Sequence, residues 1–381
     1  MFGKRLRLFK VLGFEIRADA SWILLAILIT WSLAQGMFPH SFPSLPVATY
    51  WWMGAVGAIG LFLSILLHEL SHSLVARHYG LPMGGITLFI FGGVAEMEGE
   101  PARPGVEFQM ALMGPVVSIL LGAVFYGLYR IGAQSGWAIP VVGVLSYLYA
   151  INFLLAFFNL VPAFPLDGGR LLRSALWKWE GNLEKATRQA SLAGTAFAYV
   201  LIALGAVSFF YGNFFTGMWW ILIGMFLKSA ARSSYQQVLV RDVLSTVTVE
   251  RFIEPNVVTV EPHVSLQDFA RHYILRLHHK MFPVLDKDLM LGCALMADLR
   301  RFPKEEWDRH TVSEILRVCD YTNSVGPGTG ANEALVLMNR SGEPCLPVVD
   351  GKRLLGIITL KDLLSYISTR IEIHREFRQA A

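Results

Sequence analysis

The chain has 381 residues, 54% hydrophobic and 16% charged, with a formal net charge of +4 and a mean hydropathy of +0.46. Soluble domains carry about 25% charged residues, so this deficit excludes a wholly soluble enzyme. The small positive excess lies beside apolar spans and reads as membrane orientation, not as a nucleic-acid footprint.

The charges are unevenly placed. Ser21 to His68 holds none, Phe108 to Leu166 holds only Arg130, Gln189 to Leu227 again holds none, and ordinary density returns after Val240. This predicts a membrane-embedded domain over residues 1–235 followed by a soluble part. The basic start (Lys4, Arg5, Arg7, Lys10) precedes a first span, Ala20–Met37, long enough to stay as an anchor rather than act as a cleavable secretory signal. About 20 apolar residues cross the hydrocarbon core. Further spans are expected at Tyr50–Arg77, Gly105–Arg130, Val141–Val161, Ser191–Gly212 and Gly217–Lys228, the last with Trp219 and Trp220 as interfacial anchors. Six crossings put the basic clusters around Arg17, Arg77, Arg173 and Arg232 on one side, which the positive-inside rule makes cytoplasmic. The N-terminus and the soluble tail are then both cytoplasmic, in a multi-pass protein of the cell membrane.

Gly84–Ala95 is apolar but too short to cross and too rich in glycine, β-branched and aromatic residues for a helix. It reads as a strand or hairpin at membrane depth, tolerable where protein or a water-filled cavity satisfies its backbone; a loop at the interface is the other reading. Arg77, His78 and His40 sit at span ends as interfacial residues, and Glu96, Glu98, Glu100 and Glu107 form an acidic stretch expected to be solvated.

Ionisable residues inside a span are functional candidates, because each costs about 2.5–3.5 kcal/mol to insert. The second span contains His68-Glu69-Leu70-Ser71-His72. Residues four apart share a helix face, so His68 and His72 can present two imidazoles to one ion. Glu69 projects about 100° away, within reach of a water activated there. This is the HExxH zinc-hydrolase pattern. Tetrahedral zinc needs a third protein ligand and an open position. The fourth span ends Asn159-Leu160-Val161-Pro162-Ala163-Phe164-Pro165-Leu166-Asp167-Gly168-Gly169-Arg170. Its prolines break the helix and its glycines permit a tight turn, leaving Asp167 on irregular backbone at the end of a span. Alone, Asp-Gly-Gly is an ordinary interfacial turn; beside HExxH it is a candidate ligand.

HExxH in the second span together with N-x-x-P-x-x-P-L-D-G-G-R in a later one resembles the site-2 protease family of intramembrane zinc metalloproteases, from the first span to about Arg173. The resemblance implies His68, His72 and Asp167 as ligands of one Zn2+ per chain, Glu69 as the general base, and Asn159 as a residue that helps hold the substrate or the oxyanion. It also implies a β-structured segment after the HExxH helix, which Gly84–Ala95 matches. Gly114-Pro115-Val116-Val117-Ser118 resembles the family's glycine-rich motif in the third span. Ser118 stands where some members have Asn and is given no chemistry.

The soluble part contains an internal repeat. Pro283-Val284-Leu285-Asp286, Gly292 and Asp298 recur as Pro347-Val348-Val349-Asp350, Gly356 and Asp362, displaced by 64 residues. Short strands such as Met281–Leu285 and Leu354–Thr359 lie between helical patterns. This resembles a tandem pair of cystathionine-β-synthase (CBS) modules, expected at 239–305 and 306–375. The resemblance implies a pseudo-twofold α/β unit that binds ATP or AMP, with Thr359 and Asp362 meeting the ribose-contacting pattern. In the first copy Leu295 replaces the hydroxyl residue before Asp298. A dimerisation module without ligand is the plainer reading. Cys293, Cys319 and Cys345 all lie here, an odd number without metal-type spacing, which fits a reducing compartment and excludes a disulfide framework.

The expected fold class is an all-α polytopic membrane domain of about six helices with a short membrane-associated β segment, plus a cytoplasmic α/β CBS pair. The expected function is intramembrane zinc endopeptidase, cleaving transmembrane protein substrates in the lipid bilayer, modulated by adenine nucleotide and dimeric through the CBS modules. The alternative is a non-proteolytic, nucleotide-regulated transporter or an inactive protease-like scaffold. Intact Glu69 disfavours the scaffold, and the lack of inverted repeats disfavours the transporter.

Overall fold

The computed structural model describes residues 6–89, 92–97, 100–320 and 322–379. The chain divides into two compact units, Met1–Tyr235 and Gln236–Ala381.

The first unit opens with a hairpin, β1 (Leu6–Val11) and β2 (Phe14–Ala18), turned by Leu12 and Gly13 at positive φ. Arg7 and Lys10 of the basic start, expected only as a flank, therefore lie on a strand, and Lys4 and Arg5 lie outside the described residues. The alternation is clear in β2: Phe14, Ile16 and Ala18 are buried, while Arg17 bonds Glu15 at 2.8 Å on the other face. Asp19 then caps α1 (Ala20–Ser32), accepting from the Ser21 N–H at 3.0 Å. A π-helical turn, Leu33–Met37, carries that helix on to Ser41. After Pro46 follow α2 (Val47–His78), β3 (Met83–Phe89) and β4 (Gly92–Met97). The remaining helices are α3 (Pro104–Gln134), α4 (Ile139–Asn159), α5 (Asp167–Glu180), α6 (Leu183–Phe210) and α7 (Phe214–Ser245).

Among the described residues six helices are long and apolar enough to cross a membrane, one for each expected span. Their limits differ where hydropathy is a poor guide to helix length. Residues 217–228 were enough to mark the last span, yet α7 continues to Ser245, and α6 begins eight residues before Ser191 because Asn182 caps it, accepting from the Lys185 N–H at 2.9 Å. Charged residues end a span without ending a helix. Asp167 likewise sits not on irregular backbone but at the first position of α5; the irregular stretch is the turn before it, and α5 stops at Gly181 in the left-handed conformation.

The described residues of Gly84–Ala95 lie on β3 and β4, and Ile90 and Phe91 lie outside the described residues. The sheet order is β1-β2-β3-β4, with β2 and β3 parallel and β3 and β4 antiparallel, Leu88 facing Gly93. Phe14, Ile16, Ile86 and Leu88 pack on Leu66 and Leu70 of α2. These two leucines bracket His68 and Glu69, so the apolar face of the sheet is clamped to the one turn of α2 that carries the polar motif. A second cluster, including Leu33, Phe38, Tyr50, Met53, Tyr147 and Leu148, joins the first, second and fourth spans.

The second unit repeats one pattern. Hairpin β5 (Met281–Asp286) and β6 (Leu289–Leu295) matches hairpin β7 (Cys345–Asp350) and β8 (Arg353–Thr359), each with a bulge at the same point. Val260 pairs in parallel with Val284, and Val325 with Val348. Two helices, α8 (Ala331–Ser341) and α9 (Leu360–Gln379), complete the second copy. The cores exchange segments across the boundary expected at 305. Val312 and Ile315 pack with Val260, Phe269, Phe282 and Val284, whereas Leu244, Val247 and Val249 pack with Val325, Leu346, Val348 and Ile358. Backbone pairing dictates this: β6 is bordered by Arg317 (bridged to Cys293), β8 by Glu254 (bridged to Ile357).

Candidate metal centre

α2 places His68 and His72 one turn apart on a buried face, their ring centroids 4.9 Å apart. α5 delivers Asp167 to the same point. Asp167 Oδ2 lies 3.0 Å from His68 Nε2 and 3.2 Å from His72 Nε2. One donor atom from each residue lies within 4.8 Å of the other two.

The far ring nitrogens are held by α3. His72 Nδ1 donates to the Met110 carbonyl at 2.6 Å, and His68 Nδ1 bonds Ser118 Oγ at 2.9 Å. A ring whose Nδ1–H is so engaged keeps its Nε2 lone pair for a cation. His72 Nε2 is buried and makes no aligned hydrogen bond. Between these holding points lies Gly114. A Cβ there would press on both Nε2 atoms, 2.6 Å from that of His68. The residues therefore present two imidazole Nε2 atoms and one carboxylate oxygen around a space that only a glycine leaves open. This donor set fits zinc with an open fourth position.

Glu69 lies under β4: a Cβ on Gly93 would come within 2.5 Å of Glu69 Cγ. Asn159, the last residue of α4, is half-buried, eight residues before Asp167. Thr359 and Asp362 lie in the second unit at the start of α9. Asp362 N–H donates to Thr359 Oγ1 at 3.2 Å and the Thr359 hydroxyl donates back to the carboxylate, so in this structure the pair caps a helix. Asp298, its counterpart in the first copy, is buried and held by Arg317 at 2.7 and 2.9 Å.

Several contributors lay outside the sequence reading. Ser118, given no chemistry there, is fully buried against His68. Glu107, expected in a solvated loop, is fully buried in the first turn of α3. It accepts from Arg173 Nε at 2.6 Å and also from the second guanidinium arm, which reaches Glu100 at 3.0 Å. Arg173 lies six residues beyond Asp167 on α5 and stacks over Phe164, so this ion pair fixes the helix that carries the candidate ligand to the helix that carries Gly114 and Ser118. Of the other acidic residues, Glu98 lies outside the described residues.

The model of peptidase family M50 matches residues 56–136 and 130–204, and that of the CBS domain matches 312–369. "Putative zinc metalloprotease Rip3" of Mycobacterium tuberculosis is 33% identical over 365 residues, covering 94% of this chain and 91% of that protein. "Zinc metalloprotease MJ0392" of Methanocaldococcus jannaschii is 29% identical over 373 residues, covering 98% of each. A solved structure, "Site-2 Protease from Methanocaldococcus jannaschii", is 30% identical with a TM-score of 0.42, over 61% of this chain and 95% of that one.

Proposed function

The chain belongs to peptidase family M50 and is a multi-pass membrane zinc metalloprotease, and we propose that it cleaves transmembrane segments of other membrane proteins at a site built from His68, His72, Asp167 and Glu69. The observation that carries this reading is the meeting of three donor atoms from two distant helices within 4.8 Å, beside a glycine whose Cβ would close the space.

His68, His72 and Asp167 would hold the ion. Bound there, zinc supplies a Lewis acid for the scissile carbonyl and a water whose pKa falls to about 7. The Glu69 carboxylate takes the proton from the attacking water and passes it to the departing amine nitrogen. Asn159 helps hold the substrate carbonyl. A helical substrate hides its carbonyls in its own hydrogen bonds and must unwind first. β4 is an outer strand of its sheet, and a peptide laid along it regains backbone hydrogen bonds by strand addition while passing over Gly93 and Glu69. Adenine nucleotide at Thr359 and Asp362 shifts the opening of the membrane domain by its differential affinity for the two arrangements. The N-terminus and the CBS pair lie in the cytoplasm, and the CBS pair dimerises.

The test is cleavage of a single-span substrate by the purified protein in detergent. Glu69→Gln retains zinc and loses cleavage; His68→Ala and Asp167→Ala lose both. Turnover by Glu69→Gln at the wild-type rate removes the base assignment, and cleavage that survives complete chelation removes the metal mechanism.

A further inference from the structure

All three cysteines of the chain lie in the second unit and meet around one apolar cluster. Cys293 on β6 is buried in it, with Cys319 and Cys345 half-buried at its margin. Cys293 Sγ and Cys319 Sγ are in contact at 3.9 Å. The backbone holds them there. Cys293 and Arg317 exchange both N–H···O=C bonds at 2.8 and 2.9 Å, and the Arg317 side chain grips Asp298 with two more. Cys319 follows two residues later, diagonally across the strand pair from Cys293. It also lines a cavity of about 460 Å³ together with Ser324, Thr329, Glu333, Arg340 and Gly351. The contacting thiols thus differ: one is reached from the cavity, the other is sealed in the core.

We propose that Cys319 and Cys293 form a thiol–disulfide switch, with Cys319 as the attacking thiol and Cys293 as the resolving one, oxidised by peroxide. In the first step Cys319 thiolate attacks one oxygen of hydrogen peroxide, giving the sulfenic acid and releasing hydroxide. In the second, Cys293 sulfur attacks that sulfenic sulfur, forming the disulfide and releasing water. Two thiols lose two electrons and two protons, and one peroxide becomes two waters. The contact supports this division of labour, because the hydrogen bond from Cys293 holds the Cys319 thiol below its ordinary range while that bond and burial push Cys293 up. Cys345, pushed up to about 11 by burial, is a poorer attacking thiol than Cys319. The bond would staple the segment leading to Asp320 onto β6 and remove a thiol from the cavity wall. A single reversible bridge suits a reducing compartment, where disulfides are regulatory.

Trypsin separates the cysteines into three peptides, 288–300, 318–340 and 341–352. The full-length protein in detergent is treated with hydrogen peroxide, alkylated in denaturant and digested without reduction. The expected result is a fall from three alkylated cysteines per chain to one, with 288–300 joined to 318–340, Cys345 alkylated, and the link lost on treatment with dithiothreitol. Cys345→Ser leaves the link at its wild-type yield. Cys293→Ala abolishes it and leaves a Cys319 sulfenic acid that dimedone traps. The proposal is overturned if all three thiols remain alkylatable, if Cys319 joins Cys345 instead, or if Cys319 is over-oxidised while Cys293 stays free.

Discussion

A histidine pair binds a cation tightly only when its rings are held before the cation arrives, and here the holding groups come from a helix that contributes no ligand. Met110 and Ser118 of α3 take the outer nitrogens of His72 and His68, while Gly114, between them, keeps space in front of the inner ones. Gly114→Ala should therefore lower zinc content at least tenfold, read by atomic emission, with helix content by circular dichroism unchanged. Ser118→Ala removes one outer hydrogen bond and no ligand. Partners of this kind are worth about 10–100-fold in metal affinity, so a chelator-competition titration should shift by that factor. A wild-type titration for Ser118→Ala would show that packing alone orients His68.

At the level of helices and strands, the three candidate ligands come together because α5 is fixed to α3. Glu107 and Arg173 form the fixing pair, buried to the point that water screens neither. Removing Glu107 leaves the buried Arg173 with only the partly exposed Glu100, a cost of up to the ~3–5 kcal/mol of a broken buried pair. Glu107→Ala should lower the unfolding midpoint in detergent and loosen zinc, whereas Glu107→Leu with Arg173→Met should recover most of the stability. The sequence made the candidate ligands legible and this pair not. HExxH and the Pro-x-x-Pro-Leu-Asp turn are local patterns with chemical meaning, but Glu107 and Arg173 are 66 residues apart and each looks like an ordinary span-end charge. The same limit hid β1 and β2, whose basic residues read as a flank. Gly84–Ala95 was legible because no helix or span fits it. Proline substitutions within β4 (Gly92–Met97) should impair cleavage, measured against a single-span substrate, with zinc content unchanged; full cleavage would argue against strand addition there.

At the scale of the whole chain, the repeat was visible and its interleaving was not. A displacement of 64 residues marks two copies, yet sequence similarity cannot tell which copy a connecting segment packs into. Gly292 and Gly356 show why the exchange is built in: a Cβ at either would collide with a carbonyl, of Arg317 in one case and Glu254 in the other. Each hairpin is thus shaped for a bordering segment from across the boundary. Leu244 and Val249 are fully buried and Val247 nearly so, all in the core of the second copy. Burying three such side chains contributes roughly 5–9 kcal/mol, comparable to the entire stability of a small domain at about 5–15 kcal/mol. A fragment cut at the repeat boundary, 306–381, discards all of it and leaves the border of β8 unpaired. It should show no cooperative thermal transition by circular dichroism, while 236–381, which keeps both exchanged segments, should unfold in one. A cooperative transition in the shorter fragment would mean that the second copy's core is complete without the segment from 244 to 254.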